Sequence, residues 1–193
     1  MIGFLPEIQI LKPVLYPTDE DFELIKQWKS DKYLTISPAS LWFTKQYPVY
    51  KWIEFTNKLP DDIRVILLGA RDDEDTCKQI IAKTRHKEIV SLAGKLGFLQ
   101  SAAVLKGALM NYVNDSAPMH LASAVNANVT AIYCSTLPAF GFGPLSEDSA
   151  IVEAMPVPEC RPCGLHGHRQ CPEGHFKCAE TIKTEQLLNR LGI

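Results

Sequence analysis

The residues best suited to chemistry lie within 109–125, which reads LMNYVNDSAPMHLASAV. The apolar run 109–113 predicts a buried strand, and Asn114, Asp115 and Ser116 are residue types that cap helices. Pro118 suits a first helical turn, and apolar residues then continue at helical spacing. A strand feeding directly into a helix presents free N–H groups at the joint, which favours a phosphate or a polyhydroxylated ligand. An ordinary capped helix would have the same local pattern.

Two further polar segments follow predicted strands. Residues 38–48 read PASLWFTKQYP, in which Ser40 and Thr44 can donate hydroxyls to an anion and Lys45 can neutralise a diphosphate. The simpler interpretation is a turn closed by the two hydroxyls, with a solvated lysine. The acidic run at 72–75 offers a carboxylate to a ribose diol, or it only begins a solvated helix.

These segments closely resemble glycosyltransferase family 9, the heptosyltransferase-type enzymes that build the inner core of lipopolysaccharide. Residues 114–122, NDSAPMHLA, are similar to the family segment Asn-Asp-Ser/Thr-Gly-Pro-Met-His-Leu-Ala. Residues 38–48 resemble its Pro-Gly-Ser…Thr-Lys-Arg-Trp-Pro segment, and residues 67–75 resemble its second strand-to-helix joint. Residues 92–95, LAGK, and a cysteine-rich tail also match, so the resemblance covers about residues 34–190 in order.

The whole chain alternates short apolar strands with helices of about ten residues, which indicates a parallel sheet covered on both faces. We predict strands at 33–37, 63–68, 88–92, 109–113, 129–133 and 151–154. Helices are predicted at 49–59, 72–83, 98–106, from 115 onward, and at 183–191. The fold class is therefore α/β, a Rossmann-like doubly wound and mostly parallel sheet. In such sheets ligands bind at the carboxyl ends of the strands, near the switch in strand order.

The resemblance implies that this sheet is the carboxyl-terminal half of a two-domain GT-B glycosyltransferase. We expect residues 1–32 to be a leading connection and 33–193 to be a nucleotide-sugar-binding domain with a cysteine-rich tail loop at 159–179. The amino-terminal domain, which holds the acceptor and the proposed catalytic base in this family, is expected to be absent from this chain.

The resemblance also implies roles for individual residues. Lys45 and Asp115 are the expected catalytic residues, with Asp115 meeting hydroxyls of the transferred sugar and Lys45 the diphosphate. His120 either reaches the phosphate region or is a satisfied core histidine, and Ala39 replaces a glycine of the usual pattern, as does Ala117. The expected substrate-binding residues are Ser40, Thr44, Asp73 on the ribose, Leu96 as an apolar wall for the adenine, Ser116, Ala117 and His120.

Composition limits the other classes of function. The 193 residues carry 20 basic and 22 acidic side chains, which gives no electrostatic case for nucleic-acid binding. No apolar run approaches the roughly 18 residues of a membrane span. The opening MIGFLPEIQILKPVLYP is interrupted too often for a signal-peptide core, so we expect a cytoplasmic protein with reduced cysteines. Peripheral contact with the inner face of the bacterial inner membrane is compatible with the complete enzyme.

The tail contains Cys160, Cys163, Cys171 and Cys178 with three histidines interspersed. The leading Cys-x2-Cys spacing suits zinc, but the second pair is too widely spaced for a standard zinc ribbon. A structural zinc, reduced thiols packed in a loop, or a disulfide in an oxidising compartment all fit the pattern. Catalysis in the resembling enzymes is expected to need no metal cofactor.

We therefore expect a domain that binds an ADP-sugar donor, ADP-heptose by resemblance, in an enzyme of lipopolysaccharide core biosynthesis. The complete enzyme would transfer the sugar with inversion to a lipid-linked saccharide held by the missing domain, and this chain alone would be inactive. The alternative is a non-enzymatic nucleotide- or zinc-binding module that kept the fold. A dehydrogenase is disfavoured because no Gly-x-Gly-x-x-Gly follows the first strand.

Overall fold

A computed structural model describes residues 12–193, in which six strands form one sheet with helices on both faces. The strands are β1 (Tyr33–Ser37), β2 (Arg64–Leu67), β3 (Ile89–Ser91), β4 (Asn111–Asn114), β5 (Val129–Tyr133) and β6 (Ser149–Glu153). The α-helices are α1 (Asp19–Ile25), α2 (Val49–Asn57), α3 (Glu74–Lys83), α4 (Phe98–Lys106), α5 (Ala117–Ala124), α6 (Lys177–Glu180) and α7 (Thr184–Leu188). Short 3₁₀ helices cover Lys26–Trp28, Phe43–Lys45, Arg71–Asp73, Pro138–Phe140 and Asn189–Leu191.

The strand order is β3-β2-β1-β4-β5-β6, and every pairing is parallel. Ile36 of β1 lies opposite Leu67 of β2 on one side and opposite Tyr112 of β4 on the other. The order reverses between β1 and β4, so the loops after these two strands diverge and leave a crevice at the carboxyl edge of the sheet. The predicted Rossmann-like α/β fold is confirmed.

Each face of the sheet has its own apolar core. On one face α2, α3 and α7 cover a core that contains Trp52, Phe55 and Tyr112, in which the rings of Phe55 and Tyr112 are 4.6 Å apart between centroids. On the other face α1, α4 and α5 cover a core that contains Val104 and Met119. The central strands are buried on both faces, which explains their continuous apolar sequences.

The strand-to-helix joint at 109–117 begins later than predicted. The predicted strand at 109–113 lies at Asn111–Asn114, and α5 starts at Ala117 with Ser116 at the N-cap position. Two buried asparagines, Asn111 and Asn114, belong to the strand, and the side chains of both make hydrogen bonds within the fold. Asn111, for example, accepts a hydrogen bond from the Thr35 hydroxyl at 2.6 Å. Asparagine, a residue type that often caps helices, here links the strand to neighbouring buried segments through its side chain.

The described part of the leading segment contains a helix that we did not predict. Helix α1 packs against α4 and contributes Ile25 to the second core. Its start is a capping box, in which the Thr18 hydroxyl accepts from the Asp21 N–H at 3.3 Å and the Asp21 carboxylate accepts from the Thr18 N–H at 2.9 Å. This Thr-x-x-Asp signal is present in the sequence, but the polar run around it lacks a clear apolar stripe.

Replacing Thr18 with alanine should lower the free energy of unfolding by about 1 kcal/mol, because the Asp21 N–H at the start of α1 loses the hydroxyl that accepts its hydrogen bond. Urea denaturation of both proteins measures this difference. Thr181→Ala is a suitable control, since that exposed hydroxyl only donates back to the Lys177 carbonyl. Equal stability of wild type and Thr18→Ala would show that the capping box contributes nothing.

Candidate functional site

A cleft of about 700 Å³ lies at the carboxyl edge of the sheet, where the strand order reverses. The loops after β1, β2 and β3 form its walls together with the starts of α4 and α5. This volume is within the usual range for small-molecule and cofactor sites. Seven of the predicted site residues line the cleft, namely Ser40, Lys45, Asp73, Leu96, Asp115, Ser116 and Ala117.

An ion pair joins the two sides of the crevice. The Lys45 Nζ atom, from the loop after β1, lies 2.7 Å from Oδ2 of Asp115, which directly follows β4. The side chains are only 15% and 8% exposed, so both charges have lost most of their water. The Thr136 hydroxyl donates to the same Oδ2 atom at 2.6 Å. Both contacts fix the carboxylate through one oxygen, and neither uses Oδ1.

The start of α5 forms the floor beside this pair. Within residues 12–193 no acceptor is recorded for the N–H groups of Ser116 and Ala117, whereas the Asp115 N–H donates to the Ile132 carbonyl. Pro118 has no N–H and occupies the first turn. Free N–H groups and the positive end of the helix therefore meet next to an ammonium, which is a favourable place for an anion.

The opposite end of the cleft has a different character. Asp72 and Asp73 line it, whereas Glu74 and Asp75 of the same acidic run do not. The Asp73 carboxylate accepts from the Ala70 N–H at 2.8 Å, and a β-carbon at Gly69 would lie only 2.7 Å from that of Asp73. The glycine thus lets the acidic turn close tightly over β2. Facing this turn are apolar side chains, Leu96 and Phe98, of which Phe98 is 76% exposed.

Two predicted site residues do not line the cleft. Thr44 is buried, and its hydroxyl accepts from the His168 N–H at 2.7 Å and from the Ser135 hydroxyl at 3.0 Å. His120 is exposed on the outer side of α5, where its ring lies 6.5 Å from that of Phe142 between centroids. Thr44 therefore fastens the tail loop to the loop after β1. His120 is not a buried core histidine, and its contact with the phosphate region stays a prediction.

Asn114 and Thr136 are site residues that sequence analysis missed. The Asn114 side chain accepts from the Tyr47 N–H at 2.9 Å and donates to the Pro38 carbonyl at 2.8 Å. It thereby fixes both ends of the loop that carries Lys45. Thr136 lies two residues beyond Cys134 at the end of β5, with no pattern around it that indicates a role. Only the adjacency of β4 and β5 brings it to Asp115.

Comparison with known families decides the assignment. The family described as glycosyltransferase family 9 (heptosyltransferase) matches residues 5–176, most of the chain. The chain belongs to glycosyltransferase family 9. Among curated members, lipopolysaccharide heptosyltransferase 2 of Escherichia coli (strain K12) is 26% identical over 153 residues. That match covers 76% of this chain and 42% of the relative, so the chain spans less than half the length of this family member.

Solved structures of the family share the fold. The structure of E. coli ADP-heptose LPS heptosyltransferase II superposes with a TM-score of 0.78 at 22% identity, covering 97% of this chain and 54% of that one. E. coli heptosyltransferase WaaC with ADP-2-deoxy-2-fluoro heptose gives a TM-score of 0.62 at 20% identity, covering 83% and 43%. Among the described residues of this family 9 chain, no helix is long and apolar enough to span a membrane.

The cysteine-rich tail of this family 9 member folds back towards the cleft. Burial, together with the nearby thiols of Cys163, Cys160 and Cys171, raises the pKa of the Cys178 thiol to about 12. All four cysteines are free thiols in the structure. Within residues 12–193 no three or more His, Cys, Asp or Glu side chains are arranged to hold a metal ion. Structural zinc therefore stays a prediction that rests on spacing alone.

Thiol labelling of the folded chain at pH 8 should separate the cysteines into two groups. Cys77, Cys134 and Cys178 are buried, and burial raises the pKa of each, so they should remain unmodified until denaturant is added. Cys160, Cys163 and Cys171 are only partly buried and should react in the folded protein. Mass spectrometry after brief iodoacetamide treatment measures both groups.

The same experiment tests the zinc hypothesis, because bound zinc would also protect Cys160, Cys163 and Cys171 in the folded chain, and a chelator would make these three reactive. Rapid labelling of Cys178 in the folded chain would contradict the burial described above.

Proposed function

We propose that this chain is the donor-binding part of a heptosyltransferase and that its cleft binds ADP-heptose or a closely related ADP-sugar. The observation that carries the proposal is the meeting of Lys45 and Asp115 beside the start of α5, inside the cleft at the switch point. The family relationship supports the class of donor, since one related E. coli protein is an ADP-heptose LPS heptosyltransferase and another has been solved with ADP-2-deoxy-2-fluoro heptose.

The diphosphate is assigned to the end of the cleft formed by Lys45 and α5. An ammonium and the free N–H groups of Ser116 and Ala117 converge there, and charge-assisted hydrogen bonds to phosphate are among the stronger polar contacts. The Ser40 hydroxyl donates to the Asp115 carbonyl at 3.4 Å, a long contact that a phosphate oxygen can replace. Thr44 and His120 are not part of this assignment.

The nucleoside is assigned to the other end. Leu96 and Phe98 offer an apolar surface to the adenine, and a largely exposed aromatic ring gains most from being covered. Asp72 and Asp73 are the carboxylates within reach of the ribose diol, which narrows the four acidic residues of the run to two. Repulsion from these carboxylates keeps the diphosphate at the Lys45 end.

Asp115 is assigned to the transferred sugar because its Oδ1 atom is not used by Lys45 or Thr136. An acceptor hydroxyl would attack the anomeric carbon from the opposite face with inversion, while the nucleoside diphosphate departs. The developing charge on the leaving phosphate would be met by Lys45 and the start of α5. Since Asp115 already has a cationic partner, a metal ion at this position would have to displace Lys45, and we propose transfer without one.

In the complete enzyme we propose that the general base and the lipid-linked acceptor come from outside residues 12–193, with the reaction at the cytoplasmic face of the inner membrane. The curated relative is a lipopolysaccharide heptosyltransferase, and we propose that this chain acts in the biosynthesis of the lipopolysaccharide core.

Replacing Lys45 with alanine should weaken ADP binding by roughly 1.5–3 kcal/mol, the scale of a hydrogen bond to a charged group. Titration calorimetry with ADP measures the change. Lys78→Ala is the matched control, since that lysine is exposed on α3 and distant from the cleft lining. Unchanged ADP affinity in Lys45→Ala would remove Lys45 from the diphosphate site.

Replacing Asp115 with asparagine should weaken binding of ADP-heptose by about tenfold or more while ADP binding falls less, because the lost carboxylate faces the sugar. Competition of the two ligands against a fluorescent ADP derivative gives both affinities in one assay. Equal losses for the two ligands would place Asp115 on the diphosphate rather than on the sugar.

The 193-residue chain should bind donor without transferring the sugar to a lipid-linked acceptor. A radiolabelled transfer assay with and without an added amino-terminal domain from a family 9 enzyme measures this. Donor binding without transfer, restored by the added domain, is the expected result. Efficient transfer by the chain alone would show that the base lies within it, and zinc binding without nucleotide affinity would favour the non-enzymatic alternative.

A further inference from the structure

Arg161 lies in the cysteine-rich tail, and its side chain is only 1% exposed. Other ion-paired arginines of the described residues, Arg64 and Arg190, remain about one-third exposed. Removing a guanidinium from water costs several kcal/mol unless its surroundings compensate. The partners of this buried side chain therefore indicate what it does in the fold.

The guanidinium of Arg161 is directed at the backbone of Thr136. Its Nε and Nη2 atoms donate to the Thr136 carbonyl at 3.2 and 2.6 Å. Its Nη1 atom lies 2.7 Å from the Glu153 carboxylate, a contact that balances the charge although it lacks hydrogen-bond alignment. Thr136 is 1% exposed, so its carbonyl has no access to water in place of Arg161.

Thr136 connects this arginine to the ion pair in the cleft. Its carbonyl is held by Arg161, and its hydroxyl donates to Oδ2 of Asp115 at 2.6 Å. With Thr136 fixed, the Lys45 ammonium and the Thr136 hydroxyl both hold the Oδ2 atom of Asp115. The carboxylate is then fixed, and its Oδ1 atom keeps one orientation. Without Arg161 the Thr136 carbonyl would lose both of its side-chain donors, and the position of the Thr136 hydroxyl against Asp115 would be less well fixed.

The rest of the tail loop holds the other side of the same pair. The Cys163 N–H donates to the Ser135 carbonyl at 2.9 Å, which places the loop directly over the end of β5. His168 exchanges two hydrogen bonds with Thr44, the residue before Lys45. A β-carbon at Gly167 would lie 2.8 Å from the Thr44 hydroxyl, so the loop approaches as closely as a glycine allows. One loop thus supports both partners of the ion pair.

We propose that Arg161 is a positioning residue for the sugar end of the donor site, acting through Thr136 on the carboxylate of Asp115. The inference rests on the proposed function, because it assigns Asp115 to the transferred sugar. It gives the cysteine-rich tail a role in donor discrimination that requires no metal. A purely structural arginine would instead affect stability and the binding of every ligand to a similar degree.

The first test compares Arg161→Gln with wild type, using ADP and ADP-heptose as the two ligands. We expect the affinity for ADP-heptose to fall by about tenfold and the affinity for ADP to change by less than about twofold, since the diphosphate contacts are untouched. Arg161→Lys, which retains the charge beside Glu153, should recover part of the loss. The combination with Asp115→Asn should bind ADP-heptose no more weakly than Asp115→Asn alone.

Arg190→Gln is the matched control. That arginine also pairs with a carboxylate, Asp148, and reaches the Thr130 hydroxyl, but it lies at the opposite edge of the sheet from the cleft. It should change neither affinity. Equal losses for both ligands in Arg161→Gln, full additivity with Asp115→Asn, or no loss at all would overturn the proposal.

A second measurement needs no ligand and separates this proposal from the proposed function. The carboxyl ¹³C resonance of Asp115, assigned with Asp115→Asn, should shift in Arg161→Gln and stay unchanged in Arg190→Gln. If wild type binds neither ligand, the donor-site function fails, and the resonance still decides whether Arg161 acts on Asp115. If Arg161→Gln does not fold, Thr136→Val removes the connecting hydroxyl and should reproduce the same selective loss; an unshifted resonance in that variant overturns the proposal.

Discussion

The ion pair between Lys45 and Asp115 is the constraint on which the arrangement of the site depends. It joins the loops after β1 and β4, the two strands between which the sheet order reverses, and it does so with both charges largely out of water. Loss of either partner would leave a buried charge uncompensated, which costs far more than the pair contributes when intact. The pair therefore holds the two sides of the crevice together. It also keeps the Lys45 ammonium at a position where an anionic ligand could contact it.

Several neighbouring features serve to keep this pair in place. The side-chain amide of Asn114 fixes both ends of the loop at 38–47, and the tail loop fixes its middle through a hydrogen bond to Thr44. Two alanines replace glycines of the family pattern, Ala39 and Ala117, and both line the cleft. Neither alanine has a positive φ, the backbone conformation that favours glycine. Each therefore adds a methyl group to the wall of the cleft without backbone strain. The two methyl groups therefore take up space in the cleft without disturbing the fold.

The sequence predicted the sheet and most of the cleft because both depend on local patterns. Buried parallel strands have continuous apolar runs, and polar residues directly after such strands must meet at one edge of the sheet. Lys45 and Asp115 were chosen as candidates in this way, whereas Asp73 was chosen from its acidic run by resemblance to the family, and all three line the cleft. The exposure of His120 was not predicted, since the face that a helical residue presents depends on the rotation of the whole helix.

Local sequence patterns did not predict the contacts between segments that are far apart in the chain. Thr44 and His168 are 124 positions apart, and Arg161 reaches Thr136 across a loop without regular structure. Helix α1 was missed for a different reason, because its capping box lies in a polar run whose few apolar residues, such as Ile25, bury only against α4. Tertiary packing, which a single sequence does not display, decides such elements.

The charges that line the cleft also determine how a nucleotide-sugar would lie in it. One cation, Lys45, faces three carboxylates, those of Asp72, Asp73 and Asp115, and the last is neutralised by the cation. The acidic turn after β2 therefore repels phosphate, and the start of α5 attracts it. In the proposed function the diphosphate therefore lies towards α5, with the ribose hydroxyls towards the carboxylates and the base against Leu96 and Phe98. That placement would direct the anomeric carbon at Asp115, whose Oδ2 atom accepts from Thr136, the residue that Arg161 holds through its carbonyl.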